Sequence, residues 1–200
     1  MRTVFFDIDT QLDFLLPAGA LSVPGATRIL PGVAQLNRWA AANGIVVVST
    51  MDAHAEDDPE FQIWPGHCVA GTLGQRKHES TLLERRVTIP SHRTSFEPAG
   101  AEQVICEKQS LNCFDNANLV DVLAALGAER YVVYGVVTEY CVVLAANGLL
   151  RTGKSVEIVT DAIETLKCED GDAALRAFKG AGGRLTCLSE IVAPTTSARV

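Results

Sequence analysis

The feature that most constrains the fold is a series of short, nearly apolar runs alternating with helix-like stretches that end at glycine. Thr3–Asp9, Ile45–Thr50, Val104–Glu107, Tyr131–Val137, Val156–Thr160 and Arg184–Leu188 have the length and composition of strands. Between them the spacing predicts helices over Gly32–Asn43, Asn116–Leu126, Cys141 to about Thr152, and Asp170–Lys179. Gly44, Gly127 and Gly153 follow three of these, where glycine readily adopts the left-handed conformation that ends a helix. Strands that are apolar throughout need cover on both faces, and alternation with helices makes their connections parallel crossovers. The expected architecture is α/β: a three-layer α/β/α sandwich with a mostly parallel, Rossmann-like central sheet. The 200 residues are expected to form one domain, residues 1–200, with an irregular excursion at about 52–91 rich in Gly, Pro, His and charge.

Charge and apolar run length narrow the partners. A net charge of −7 and a pI near 5.1 argue against a nucleic-acid surface, and the basic residues form no long cluster. No apolar run reaches the roughly 20 residues of a membrane span. Acids interrupt MRTVFFDIDT where a signal peptide has its apolar core, so a cytoplasmic protein is expected that binds neither membrane nor nucleic acid. Cys68, Cys106, Cys113, Cys141, Cys168 and Cys187 then read as free thiols, and no CxxC pair is present.

In parallel α/β sheets ligands bind beyond the carboxyl ends of the strands, and Asp9, Asp52, His54, Lys108 and Cys141 all fall at that edge. Within Arg130–Cys141 (RYVVYGVVTEYC) a strand runs into a helix, with Thr138 as N-cap and Cys141 at the third helical position. Free N–H groups and the helix dipole there favour an anion, so the thiol pKa is expected to fall. The N–H groups of Val137 and Cys141 would then hold the oxyanion of an attacked carbonyl. A buried packing cysteine is the plain alternative.

Asp7, Asp9 and Asp13 offer a proton acceptor. Alternation puts Asp7 and Asp9 on one face, with Asp9 at the open end; Asp9 is assigned to function and Asp7 to bonds with loop N–H groups or a cation. Lys108 ends the Val104 strand and would favour both thiolate and carboxylate. Asp52, His54, Glu60 and His67 match a transition-metal site, with a hydrogen-bonded histidine pair as the alternative.

Taken together, these segments resemble the isochorismatase-like cysteine hydrolases, and within them the nicotinamidases. Ile8–Phe14 (IDTQLDF) resembles the family's apolar-Asp-x-Gln-x-Asp-Phe opening, which implies that Asp9 is catalytic. Lys108 matches the catalytic lysine after the middle strand. Gly135–Cys141 (GVVTEYC) resembles the Gly-x-x-Thr-Asp-x-Cys nucleophile turn, with Glu139 in place of Asp. The resemblance also implies a non-proline cis peptide at Val136–Val137. Trp64–Thr72 (WPGHCVAGT) resembles the Trp-Pro-x-His-Cys-Val-x-Gly-Thr segment of nicotinamidases.

By the same resemblance Asp52, His54 and His67 hold a divalent transition metal, with Glu60 where some members have a further His. Zinc is foremost, with iron or manganese as alternatives, and Phe14 and Trp64 flank a substrate ring. The implied activity is hydrolysis of a small carboxamide, foremost nicotinamide, through a thioester, in a homo-oligomer. Gln109–Asn116 (QSLNCFDN) is shorter than the Tyr- and Ser-containing loop of typical nicotinamidases. That departure keeps open another amidase of the superfamily, acting on a carbamoyl or ureido substrate. A non-catalytic binding or scaffold protein is the third reading.

Overall fold

The computed structural model describes residues 1–96 and 100–193; residues 97–99 and 194–200 of the expected 1–200 domain lie outside the described residues. Seven strands form one sheet: β1 (Thr3–Ile8), β2 (Val47–Asp52), β3 (Arg86–Ile89), β4 (Gln103–Lys108), β5 (Arg130–Gly135), β6 (Ser155–Ile163) and β7 (Arg184–Thr186). Their order is β3-β4-β2-β1-β5-β6-β7, and every pair is parallel. The helices are α1 (Leu12–Leu15), α2 (Leu30–Ala42), α3 (Leu119–Leu126), α4 (Val143–Leu150), α5 (Cys168–Gly180) and α6 (Leu188–Ile191). None is long and apolar enough to cross a membrane.

Alternation along the central strands makes two cores. Val4, Phe6 and Ile8 of β1, with Tyr131 and Val133 of β5, pack with residues of α3 and α4 and with Phe178 of α5. Phe5, Val132 and Tyr134 face the other way, toward α1, α2 and Ile191 of α6. The result is the three-layer α/β/α sandwich.

The structure departs from the sequence reading at particular elements. β3, α1 and α6 were not anticipated; β3 is a partly exposed edge strand inside the irregular excursion, so it lacks an unbroken apolar run. α3 begins at Leu119 rather than Asn116. Asn116 donates through Nδ2 to the carbonyls of Pro90 and Glu107, and Asn118 to those of Pro90 and His92. Amide side chains bound to loop carbonyls favour a turn over a helix.

Gly135 fixes how closely β5 approaches β1. Its φ is +118°, and a Cβ there would lie 2.1 Å from the Ile8 carbonyl oxygen. Gly135→Ala should therefore lower stability by roughly 2–5 kcal/mol through backbone strain and overpacking. Urea unfolding measures this, and a midpoint equal to wild type would refute the assignment.

Candidate active site

β2 and β5 flank β1 on opposite sides, so the strand order reverses beside β1 and leaves a crevice at its carboxyl end. The four strand ends that meet there supply Asp9, Asp52, Lys108 and, just after β5, Cys141. Asp52 and Lys108 are neighbours in the β2–β4 register. Lys108 is only 1% exposed, and its ammonium lies 2.9 Å from Asp9 Oδ2, in direct contact with Asp52 Oδ1, and 3.6 Å from Cys141 Sγ. Burial alone would pull the Lys108 ammonium down, but Asp52 and Asp9 hold it well above the usual lysine range.

Asp9 has a left-handed backbone, φ +45°, directly after its strand. Thr50 fixes it there: its hydroxyl donates to Asp9 Oδ1 at 2.6 Å and accepts the Asp9 N–H at 3.2 Å. Asp9 Oδ2 makes no directed hydrogen bond despite its closeness to Lys108, which leaves a lone pair at the crevice. Asp7 turns away from the crevice and accepts from Thr10, Asn37 and Ser49, with Lys77 Nζ 3.4 Å away.

The turn that carries Cys141 differs from the one expected. Thr138–Val142 is a single π-helical turn running into α4, and Val137 rather than Thr138 stands at its N-terminus. Thr138 uses its hydroxyl on the Glu164 carbonyl instead, at 2.7 Å. The expected fall in the thiol pKa is also reversed: burial pushes Cys141 well up, with Lys108 opposing and Asp9 and Asp52 adding. The Val136–Val137 peptide is cis, and the Val137 N–H has no hydrogen-bond partner among the described residues.

A second cluster adjoins Asp52. Ligand atoms of Asp52, His54 and His67 lie within 4.8 Å of one another, and all three residues are buried. His54 Nδ1 lies 2.9 Å from Asp58 Oδ2, and His67 Nδ1 lies 2.8 Å from the Pro65 carbonyl. The carbonyl can only accept, so His67 carries its proton on Nδ1 and has a lone pair on Nε2. Burial lowers the His67 pKa and favours this neutral form. His54 Nε2 is buried without a partner. Burial raises Asp52 to about 7 against the attraction of Lys108, and a cation would offset that burial. Two imidazoles and a carboxylate, held by outer partners, fit a divalent transition metal with open positions. Glu60 stands outside this group of three, with Oε1 3.9 Å from His67 Nε2.

A small crevice opens to solvent at this edge of the sheet. Phe14, Trp64, Tyr140, Leu111 and Leu166 wall it, and Asp9, Asp52, Glu60, His67 and Cys141 supply its polar and reactive groups. Trp64 meets Tyr140 edge to face at 5.6 Å, and Phe14 lies 5.3 Å from the His67 ring.

Several residues take supporting roles that the sequence did not assign to them. Gln11 brackets the Asp52 backbone, donating to its carbonyl at 2.9 Å and accepting its N–H at 2.7 Å. Asp13 accepts the Cys68 N–H at 2.7 Å where Cys68 has φ +46°, which anchors the chain next to His67. Asp58 also accepts the Glu60 N–H through its second oxygen. Carboxylate and amide residues flanking the motifs were the available signal, but their partners are distant in sequence.

The chain as a whole is similar to known proteins. The isochorismatase domain model matches residues 3–190. The nicotinamidase of Escherichia coli K12 is 24% identical, over 92% of this chain and 93% of that protein. The nicotinamidase/pyrazinamidase of Mycobacterium tuberculosis H37Rv is 26% identical, over 91% and 97%. The pyrazinamidase of Pyrococcus horikoshii, solved in complex with zinc, is 28% identical with a TM-score of 0.77, covering 94% of this chain and 99% of its own.

Asp58 tests the cluster without reference to turnover. Asp58→Ala should weaken zinc binding to the metal-stripped protein by roughly 10–100-fold, because an outer carboxylate fixes ligand orientation and tautomer. Isothermal titration reads this directly, and an unchanged Kd would remove Asp58 from that role.

Proposed function

Because the chain belongs to the isochorismatase family, we propose that it is a cysteine amidohydrolase of small carboxamides, foremost nicotinamide, releasing nicotinate and ammonia. The carrying observation is Cys141 Sγ 3.6 Å from the ammonium that also pairs Asp9, at an apolar crevice beside Asp52, His54 and His67.

The roles follow from charge. The Cys141 thiol passes its proton to Asp9 as sulfur attacks the amide carbon, and Lys108 stabilises the charges that develop. The N–H groups of Val137 and Cys141 receive the oxyanion. Collapse breaks the C–N bond, Asp9 returns the proton to the departing nitrogen, and ammonia leaves a thioester on Cys141. Water then attacks with Asp9 as base, the C–S bond breaks, Asp9 passes that proton to the Cys141 sulfur, and the acid is released. A divalent transition metal held by Asp52, His54 and His67, zinc foremost and iron or manganese as alternatives, would supply a Lewis acid beside the substrate. Glu60 lines the same crevice and would complete or orient that group.

The lining favours a neutral ring. Phe14 and Trp64 would flank it, and the charged side chains on the crevice wall are acidic: Asp9, Asp52 and Glu60. Among the described residues no arginine lines it, and the adjacent Lys108 is already paired with two carboxylates. A ureido acid would therefore bring its carboxylate against acids, which disfavours that second reading. The family match over 3–190 supports reading residues 1–200 as one domain, and the proposal extends to a cytoplasmic homo-oligomer.

Protein loaded with zinc, iron or manganese should release ammonia from nicotinamide, and Cys141→Ala should reduce turnover at least about 10³-fold. Acid quenching followed by mass spectrometry should find the acyl group on Cys141. Ammonia from ureido substrates but none from nicotinamide would move the assignment to the second reading; retained turnover by Cys141→Ala would end the nucleophile role.

A further inference from the structure

Glu139 stands where the resembling turn has aspartate, and it reaches across to the loop after β6. Its Oε1 accepts the N–H groups of Leu166 and Lys167, both at 2.9 Å, and its Oε2 accepts the Thr165 hydroxyl at 2.6 Å. Thr138, its neighbour, binds the Glu164 carbonyl through both N–H and hydroxyl, at 2.8 and 2.7 Å. Residues 164–167 join β6 to α5, and Leu166 is part of the crevice wall along with Val136 and Tyr140. The turn that carries Cys141 thus grips the loop that carries one wall of the cavity. A carboxylate accepting three bonds beside the start of α5 also meets the positive end of that helix.

We propose that Glu139 is a positioning residue for substrate selection: it fixes residues 164–167 so that Leu166 closes the cavity against a flat apolar ring. The inference rests on the amidase reading for its substrates, but its contacts are independent of that reading. A loosened loop would withdraw an apolar wall from bound substrate and leave the reacting groups on β1, β4 and the π-helical turn in place. Loss of one apolar contact of this size changes discrimination by about 10-fold or more.

The test compares Glu139→Ala, Glu139→Gln and Leu166→Ala in the full-length, metal-loaded protein, using nicotinamide, benzamide and acetamide as probes. Glu139→Ala should raise KM for the ring amides about 10-fold or more, leave kcat within about 3-fold, and change acetamide kinetics little. Amide hydrogen exchange over 164–168 should accelerate in the same variant. Leu166→Ala should reproduce the KM shift without the exchange change, and Glu139→Gln, which keeps an acceptor for both N–H groups, should stay within a few-fold of wild type. An unchanged ring-amide KM in a folded Glu139→Ala protein, or a loss confined to kcat, overturns the proposal. Wild-type protein inert to nicotinamide but active on another amide would instead refute the nicotinamide reading, and the same KM and exchange comparison on that amide decides the role of Glu139.

Discussion

The site depends on one buried ammonium. Lys108 sits where three strand ends converge, touching Asp9 and Asp52 and approaching Cys141, with almost no access to water. Two buried carboxylates without it would face each other uncompensated, and breaking a buried pair in that way costs roughly 3–5 kcal/mol. The parallel register is what makes the pairing available. Asp52 and Lys108 are aligned across β2 and β4, and the β1–β2 pairing brings Asp9 to Thr50. Sheet topology and site electrostatics are therefore a single constraint.

Asp52 ties the two halves of the crevice together. One of its oxygens contacts Lys108, and the other lies 3.9 Å from His54 Nε2. The proposed nucleophile side and the proposed cation-binding side consequently share a charge, and each depends on a further rank of residues. Gln11 holds the Asp52 backbone, Asp13 holds the chain beside His67, and Asp58 holds His54. Asp7 belongs to a different network, in which Lys77 from the irregular excursion is locked against β1. Two aspartates two residues apart thus do unlike work because one ends its strand in a left-handed turn and the other does not.

What was legible in the sequence was whatever a strand end fixes. Asp9, Asp52, Lys108 and the run into Cys141 could be placed at one edge because apolar strands and their helices dictate a parallel sheet. Edge strand β3 and the start of α3 escaped because exposure and asparagine bonds, rather than apolar periodicity, decide them. Asp58, Tyr140, Glu139 and Leu166 escaped as site partners because their roles are set by contacts with residues outside their own motifs. The thiol pKa was misjudged for an energetic reason. A helix dipole contributes about 0.3–1 kcal/mol, whereas full burial can shift a pKa by several units. Position at a helix start could not outweigh the dry environment that the core imposes on Cys141.

That dryness, with the acidic wall, also bears on the direction of the proposed reaction. A neutral amide enters without a charge penalty, while its hydrolysis product is an anion at neutral pH. Asp9, Asp52 and Glu60 line the cavity it would leave, and Lys108 is shared between the first two. At an effective dielectric of about 20, two like charges 4 Å apart repel by about 4 kcal/mol before neighbouring cations offset it. Repulsion of this kind acts on the acid and hardly on the amide, so it favours product departure without weakening substrate binding. On the proposed reading, the same acids that hold Lys108 in place would distinguish substrate from product by charge, while the apolar wall would select by shape.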